Sequence, residues 1–328
     1  MCARSVLLCA GALLLNWVAR AQSPEEVHVS VRSTPTTHTA GETPAPLDVL
    51  ANPFRVGVNL VLVPVTVTGP SGRPVIALTK QDFTVYEEDK PQEIQYFMEE
   101  DAPISISVLL DVSDSMRDKM DVERAAIVEF FSNANPDDEY FAITFSDHPR
   151  LIAGPTRSID DVERRLIAVE PGGPTALLDA IYLAEIQLRS ARYRRKAIVI
   201  ISDGGDNASR YNLSEIKSLI QESDVRIYAI GLFDTFFFNT LEERLGKKWL
   251  DEITDRTGGR TVTVDNRAKL PKAAAAISRE MRNQYVLGYS SKSESEGKWR
   301  KIKVRVNSSA VKKPLQVSYK RGYAASEK

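Results

Sequence analysis

Apolar and polar residues follow two different periods along this chain, and the change of period divides it. "VNLVLVPVTVTGPSGRPV" sets Val61, Val63, Val65 and Val67 at every second position and turns at Gly69–Gly72, the pattern of a half-buried strand. "DFTVYEEDKPQEIQYF" predicts a hairpin around Asp89–Lys90. From Ile104 onward, continuous apolar runs replace the alternation: "ISISVLL", "EYFAITF", "AIVIIS", "VRIYAIGL" and "GRTVTV". Helical stretches near 119–132, 159–167, 175–191, 213–222 and 240–257 separate them, and "PRLIAGP" reads as a short edge strand. Near-continuous β-branched strands alternating with helices predict an α/β fold with a doubly wound, mainly parallel, six-stranded sheet covered on both faces.

A last helix over 268–283 carries Leu270, Ala274, Ile277 and Met281 as a core-facing stripe. Period two then returns: Ile302, Val304 and Val306 alternate with Lys301, Lys303 and Arg305, and Leu315, Val317 and Tyr319 follow in the same way. Neither terminal set of strands can hold a core alone. The economical arrangement pairs them into one small β-domain, residues 54–100 and 284–325, with the α/β domain, residues 101–283, inserted between.

Ahead of these, residues 22–53 are rich in Pro, Thr and Glu and read as a flexible linker. Residues 1–21 combine Arg4, an apolar stretch from Val6 to Leu15 and an A-R-A tripeptide ending at Ala21. That is the anatomy of a signal peptide cleaved before Gln22, and the run is shorter than the ~20 apolar residues of a spanning helix. Lipid attachment at Cys9 fits less well, because "VLLC" lacks small residues before the cysteine. The expectation is an extracytoplasmic protein, secreted or periplasmic, with no membrane span after cleavage. Cys2 and Cys9 are the chain's two cysteines and both lie in the segment removed, which excludes thiol catalysis and zinc–thiolate sites. A net charge of −1 offers no field for nucleic acid.

The candidate chemistry sits where the first parallel strand ends. "ISVLLDVSDSMRDKM" crowds Asp111, Ser113 and Ser115 at the tip of an apolar run; "AIVIISD" ends in Asp203, and "EPGGPT" supplies Thr175. In a doubly wound sheet of order 3-2-1-4-5-6 the first and fourth strands are neighbours, and ligands bind at their carboxyl ends. Asp111 and Asp203 would then stand side by side and repel unless neutralised. Five hard oxygen donors suit Mg²⁺, with Ca²⁺ or Mn²⁺ as substitutes, and fit zinc and copper poorly. Any one of these residues could instead be a helix cap; the five in this order favour the cation.

D-x-S-x-S as "DVSDS", the threonine of "GGPT" and the aspartate of "SDG" resemble the metal-ion-dependent adhesion site of von Willebrand factor type A domains, with all five positions occupied. The likeness covers about residues 103–283. It implies a Rossmann-like fold and a non-catalytic protein-binding or adhesion module. Its Mg²⁺, held by Asp111, Ser113, Ser115, Thr175 and Asp203, would capture an Asp or Glu carboxylate of a protein partner. By the same resemblance Ser113, Ser115 and Thr175 bind the ion directly or nearly so, while Asp111 and Asp203 exchange between direct and water-mediated contact. In such relatives, ligation of the open metal position is linked to displacement of the last helix. The flanks resemble those of secreted type A-related proteins known chiefly from Acidobacteria. One departure stands out: where integrin-type relatives place two acidic residues for a second ion, this chain has Asp118 and Lys119, and an ammonium argues against that ion.

Two other functions are open to the same residues: a structural assembly factor of an envelope complex, in which the ion only rigidifies loops, and a Mg²⁺-dependent phosphoesterase. The second needs a base, yet the histidines are only His28, His38 and His148; no Ser–His–Asp arrangement can be built around the motif. His148 reads as a turn cap and the basic run "RSARYRRKA" as the solvated end of a helix. Phe236, Phe237 and Phe238 read as a core plug or an exposed patch.

Overall fold

The computed structural model describes residues 60–233, 241–291, 298–308 and 314–325. The signal peptide, the linker, Cys2, Cys9, His28, His38 and Phe236–Phe238 lie outside them. Along the chain run β1 (Leu60–Thr68), β2 (Phe83–Glu87), β3 (Lys90–Gln92) and β4 (Ile94–Glu100). Next come β5 (Ser105–Asp111), α1 (Met120–Ser132), β6 (Glu139–Phe145), β7 (Pro149–Thr156), α2 (Ile159–Ile167) and α3 (Leu177–Arg189). They are followed by β8 (Lys196–Ser202), α4 (Leu213–Glu222), β9 (Arg226–Leu232), α5 (Leu241–Thr257), β10 (Thr261–Val264) and α6 (Leu270–Arg282). The chain closes with β11 (Gln284–Ser290), β12 (Trp299–Val306), β13 (Gln316–Ser318) and β14 (Gly322–Ala324).

The central sheet has six strands in the order β10-β9-β8-β5-β6-β7, the doubly wound order expected. Only the edge strand β7 runs antiparallel to its neighbour. Every residue of β5 and of β9 is buried, which requires cover on both faces. Alternation within β5 divides the cover. Ile106, Val108 and Leu110 pack with Ile127, Val162, Leu270 and Ile277 from α1, α2 and α6. Leu109 packs with Ile181, Ile216 and Leu250 from α3, α4 and α5.

The terminal strands form two four-stranded antiparallel sheets, β13-β1-β11-β4 and β14-β12-β2-β3, each mixing N- and C-terminal strands. They share a core that includes Val65, Phe83, Val85, Tyr285, Leu287, Tyr289 and Ile302. The predicted hairpin turns where expected, with Glu88 at φ 48° and Asp89 at φ 60°, the left-handed pair of a two-residue hairpin turn. Its return strand is split, however. Gln92 pairs with Val85, whereas Ile94 pairs with Tyr289 in the other sheet.

Glu87 stitches the two sheets together. Its carboxylate accepts hydrogen bonds from Tyr289 Oη (2.7 Å), Ser291 Oγ (2.7 Å), Arg300 Nη1 (3.1 Å) and Tyr323 Oη (3.1 Å).

Asn283 alone separates α6 from β11. Here the structure corrects the reading of "RSARYRRKA" as solvated. Arg195 turns inward, its side chain 14% exposed, and donates Nη2 to the Met281 carbonyl at 2.8 Å. The last carbonyls of a helix lack intrahelical donors, and a cation is a favourable one.

Candidate metal centre

β5 carries Asp111 fully buried to the carboxyl end of the sheet, and the chain turns there into a 3-10 segment, Asp114–Lys119. The aspartate shapes that turn: Ser113 N donates to Asp111 Oδ1 at 3.0 Å. Ser113 Oγ then lies 3.1 Å from Ser115 Oγ, the first buried and the second exposed. β8 pairs with β5 in the register Leu110↔Ile201, so Ser202 comes level with Asp111 and donates Oγ to Asp111 Oδ2 at 2.6 Å. Asp203 is the next residue.

The glycine turn before α3 is tied to the same place. Gly172 N donates to the Val112 carbonyl (2.7 Å) and Asp114 N to the Gly173 carbonyl (3.0 Å). Gly173 has φ +90°, which favours glycine. Thr175 is buried, and its N–H donates to Asn207 Oδ1 at 2.8 Å. Behind Asp203, Gly204 lies so close to α5 that a Cβ on it would stand 2.7 Å from the Gly246 carbonyl carbon. The three segments bearing Asp111, Ser113, Ser115, Thr175 and Asp203 are thus joined by direct hydrogen bonds at one end of the sheet.

Charge is concentrated here. Burial and the charge on Asp203 push the Asp111 carboxyl up to about 6, against the hydrogen bonds from Ser113 and Ser202. Two residues that sequence reasoning did not place act on the same carboxylates. Lys119, read there only as a missing carboxylate, sets Nζ 3.4 Å from Asp203 Oδ2, with the two side chains 15% and 13% exposed. Glu123 is fully buried on α1, its carboxyl pushed well above the usual range by burial first and by Asp111 second. Its signal was legible: a glutamate at the inward position of the stripe Met120, Ile127, Phe130.

His148 is not a turn cap. Its Nδ1 lies 2.8 Å from Asp147 Oδ1, and its Nε2 accepts from Arg150 Nε at 2.9 Å. The loop that carries it is tied to the start of α3, because Ala176 N donates to the Ser146 carbonyl at 2.7 Å.

Among the described residues no three His, Cys, Asp or Glu side chains are grouped to hold a metal. A cation here would rest on two carboxylates, three hydroxyls and water. That donor set fits a hard ion such as Mg²⁺, which keeps several waters, and two adjacent carboxylates need the neutralisation it brings.

Residues 106–205 match the model of the von Willebrand factor type A domain. An uncharacterized protein of Borreliella burgdorferi is 22% identical over 188 residues, 50% of this chain and 55% of that protein. The chain thus spans about half the length of the curated relative it matches. Among solved structures, it is similar to a von Willebrand factor type A protein from Catenulispora acidiphila (11% identity, TM-score 0.48, 77% of this chain and 76% of the other). Proximal thread matrix protein 1 from the mussel byssus, with a zinc-occupied MIDAS motif, is 19% identical (TM-score 0.47, 59% of this chain and 49% of the other). An aerotolerance-related membrane protein from Bacteroides fragilis is 21% identical (TM-score 0.43, 54% of this chain and 98% of the other).

Proposed function

We propose that the von Willebrand factor type A domain of this chain is a non-catalytic binding module. It works outside the cytoplasm, and its Mg²⁺ (or Mn²⁺ or Ca²⁺) captures an Asp or Glu carboxylate of a protein partner. Asp111, Ser113, Ser115, Thr175 and Asp203 hold the ion. The observation that supports the reading is that the three segments bearing these residues are hydrogen-bonded to one another at the carboxyl end of the sheet, with the charge of Asp203 acting on Asp111. When bound, the ion supplies a Lewis-acidic position that an incoming carboxylate can complete. The chain's own part is to hold the donors in place: Ser202 fixes one oxygen of Asp111 and the Ser113 N–H the other.

A hydrolytic role is less well supported, because both nitrogens of His148 are engaged by Asp147 and Arg150. Among the described residues no helix is long and apolar enough to cross a membrane. Coupling to the last helix has a physical route: Arg267 Nη1, on the turn before α6, donates to the Asp118 carbonyl at 2.9 Å.

Immobilised protein should retain an extracytoplasmic partner in Mg²⁺ and release it in chelator, and amidating the partner's carboxylates should abolish retention. Retention indifferent to chelator would overturn the reading.

pH should act through Asp111. Only the carboxylate form binds a cation, so with the Asp111 carboxyl at about 6, affinity should fall roughly tenfold between about pH 7.5 and about pH 5. Without divalent ion the dependence reverses. A folded-state value above the unfolded one means the folded protein holds the proton more tightly, so this group's contribution to stability declines as pH rises through about 4 to 6. Melting temperatures with and without Mg²⁺ should therefore diverge as pH rises; parallel curves would contradict the assignment.

A further inference from the structure

Lys119 and Glu123 have no part in the binding described so far. Lys119 ends the 3-10 segment and caps α1, and Glu123 follows four residues later, so the two share one side of the helix. The Lys119 ammonium rests on Asp203 Oδ2 at 3.4 Å. Glu123 is fully buried, and among the described residues neither of its carboxyl oxygens has a hydrogen-bond partner. A buried carboxyl without partners is costly. The charged groups within its electrostatic reach are Asp111, Arg124 and Lys119. Arg124 turns its Nη1 to Asp121 at 3.3 Å and keeps a buried Nε without a partner among the described residues; Lys119, four residues before Glu123 on the same side of the helix, is the cation that also touches the candidate centre.

We propose that Lys119 is a tethered counter-ion that passes from Asp203 to Glu123 when a divalent cation occupies the centre. This rests on the cation reading above. A divalent ion and an ammonium cannot share the outer oxygen of Asp203 without strong repulsion. The lysine stem is flexible, and the partner at i+4 is within its reach. Glu123 receives the ammonium as a carboxylate, its proton passing to solvent, so the charge displaced from Asp203 is neutralised one helical turn away. In the absence of the ammonium, burial and Asp111 favour the neutral acid, which explains how an unpartnered carboxyl persists in the core. The exchange also makes the centre selective. A monovalent cation offers Asp203 no more charge than the lysine already does, whereas a divalent one does.

The test is a cycle of Mn²⁺ affinities, by calorimetry, for the wild type, Glu123→Gln, Lys119→Met and the double variant, each checked for fold by circular dichroism. Glu123→Gln should weaken Mn²⁺ binding about tenfold, and in the Lys119→Met background the same change should have little effect, because neighbours that act together are non-additive. Unchanged affinity in Glu123→Gln, or an equal loss in both backgrounds, would overturn the handover. A crystal structure of the Mn²⁺-loaded wild type gives a second readout that needs no variant. Nζ within salt-bridge distance of Glu123 is expected, and Nζ still on Asp203 overturns the proposal. No Mn²⁺ binding by the wild type would instead overturn the cation reading itself, and the handover with it.

Discussion

Replacing Asp111 and Asp203 together by alanine should abolish divalent-cation binding, a loss of more than about 100-fold, while leaving far-UV circular dichroism nearly unchanged. Asp111 is the last residue of β5 and Asp203 lies just past the end of β8, and neither side chain belongs to the apolar clusters that cover the sheet. Removing Asp111 takes away the acceptor of the Ser113 N–H and the Ser202 hydroxyl, at about 1–3 kcal/mol for each group left unsatisfied. Against that, the substitution removes a buried carboxylate and its repulsion with Asp203. The losses and gains are of similar size, so the fold persists while the ion loses both of its charged ligands. Titration calorimetry with Mg²⁺ checks this, and an affinity equal to that of the wild type would refute the assignment.

The largest effect on stability is expected far from the cation. Glu87→Ala should cost about 3–5 kcal/mol, the range for removing one partner from a buried ion pair. Burial alone would raise the Glu87 carboxyl, yet the bonds from Tyr289, Ser291, Tyr323 and Arg300 together hold it below the usual range. Alanine takes the acceptor from two tyrosine hydroxyls and the counter-charge from Arg300, which is 6% exposed in its side chain. Because these donors come from β11, β12, β14 and the segment between them, the loss falls on the seam between the two terminal sheets. The contribution is present above the unfolded carboxylate value and should fade as pH falls toward the depressed folded one. Urea denaturation measures it, and a change under about 1 kcal/mol would show that the network is not buried in solution.

The parts of this molecule that the sequence disclosed are those governed by periodicity. β5 and β9 read as unbroken apolar runs and are buried along their whole length. The helices end within about two residues of the expected positions, the ordinary scatter of such boundaries. That the ends of β5 and β8 meet follows from strand order, since the two are neighbours in a doubly wound sheet; that Ser202 rather than Asp203 stands level with Asp111 is a matter of register. What stayed hidden depends on where long side chains turn. Arg195 sits in a run of five basic residues with one serine, one alanine and one tyrosine among them, and nothing local says that it reaches the Met281 carbonyl. Lys119 looked like a substitution and is an ion-pair partner. The hairpin predicted around Asp89–Lys90 carries no sign of a divided return strand, yet Glu93 takes the chain across from one sheet to the other. The side of a strand is local information; the choice of sheet is made by tertiary packing.

Diffraction from crystals grown with Mn²⁺, recorded at the manganese absorption edge, locates the ion itself. An anomalous peak is expected at the carboxyl end of β5, with Ser113 Oγ, Ser115 Oγ and at least one of Thr175, Asp111 and Asp203 in its coordination shell at about 2.0–2.6 Å. Manganese bound elsewhere, with no peak between Asp111 and Asp203, would contradict the assignment.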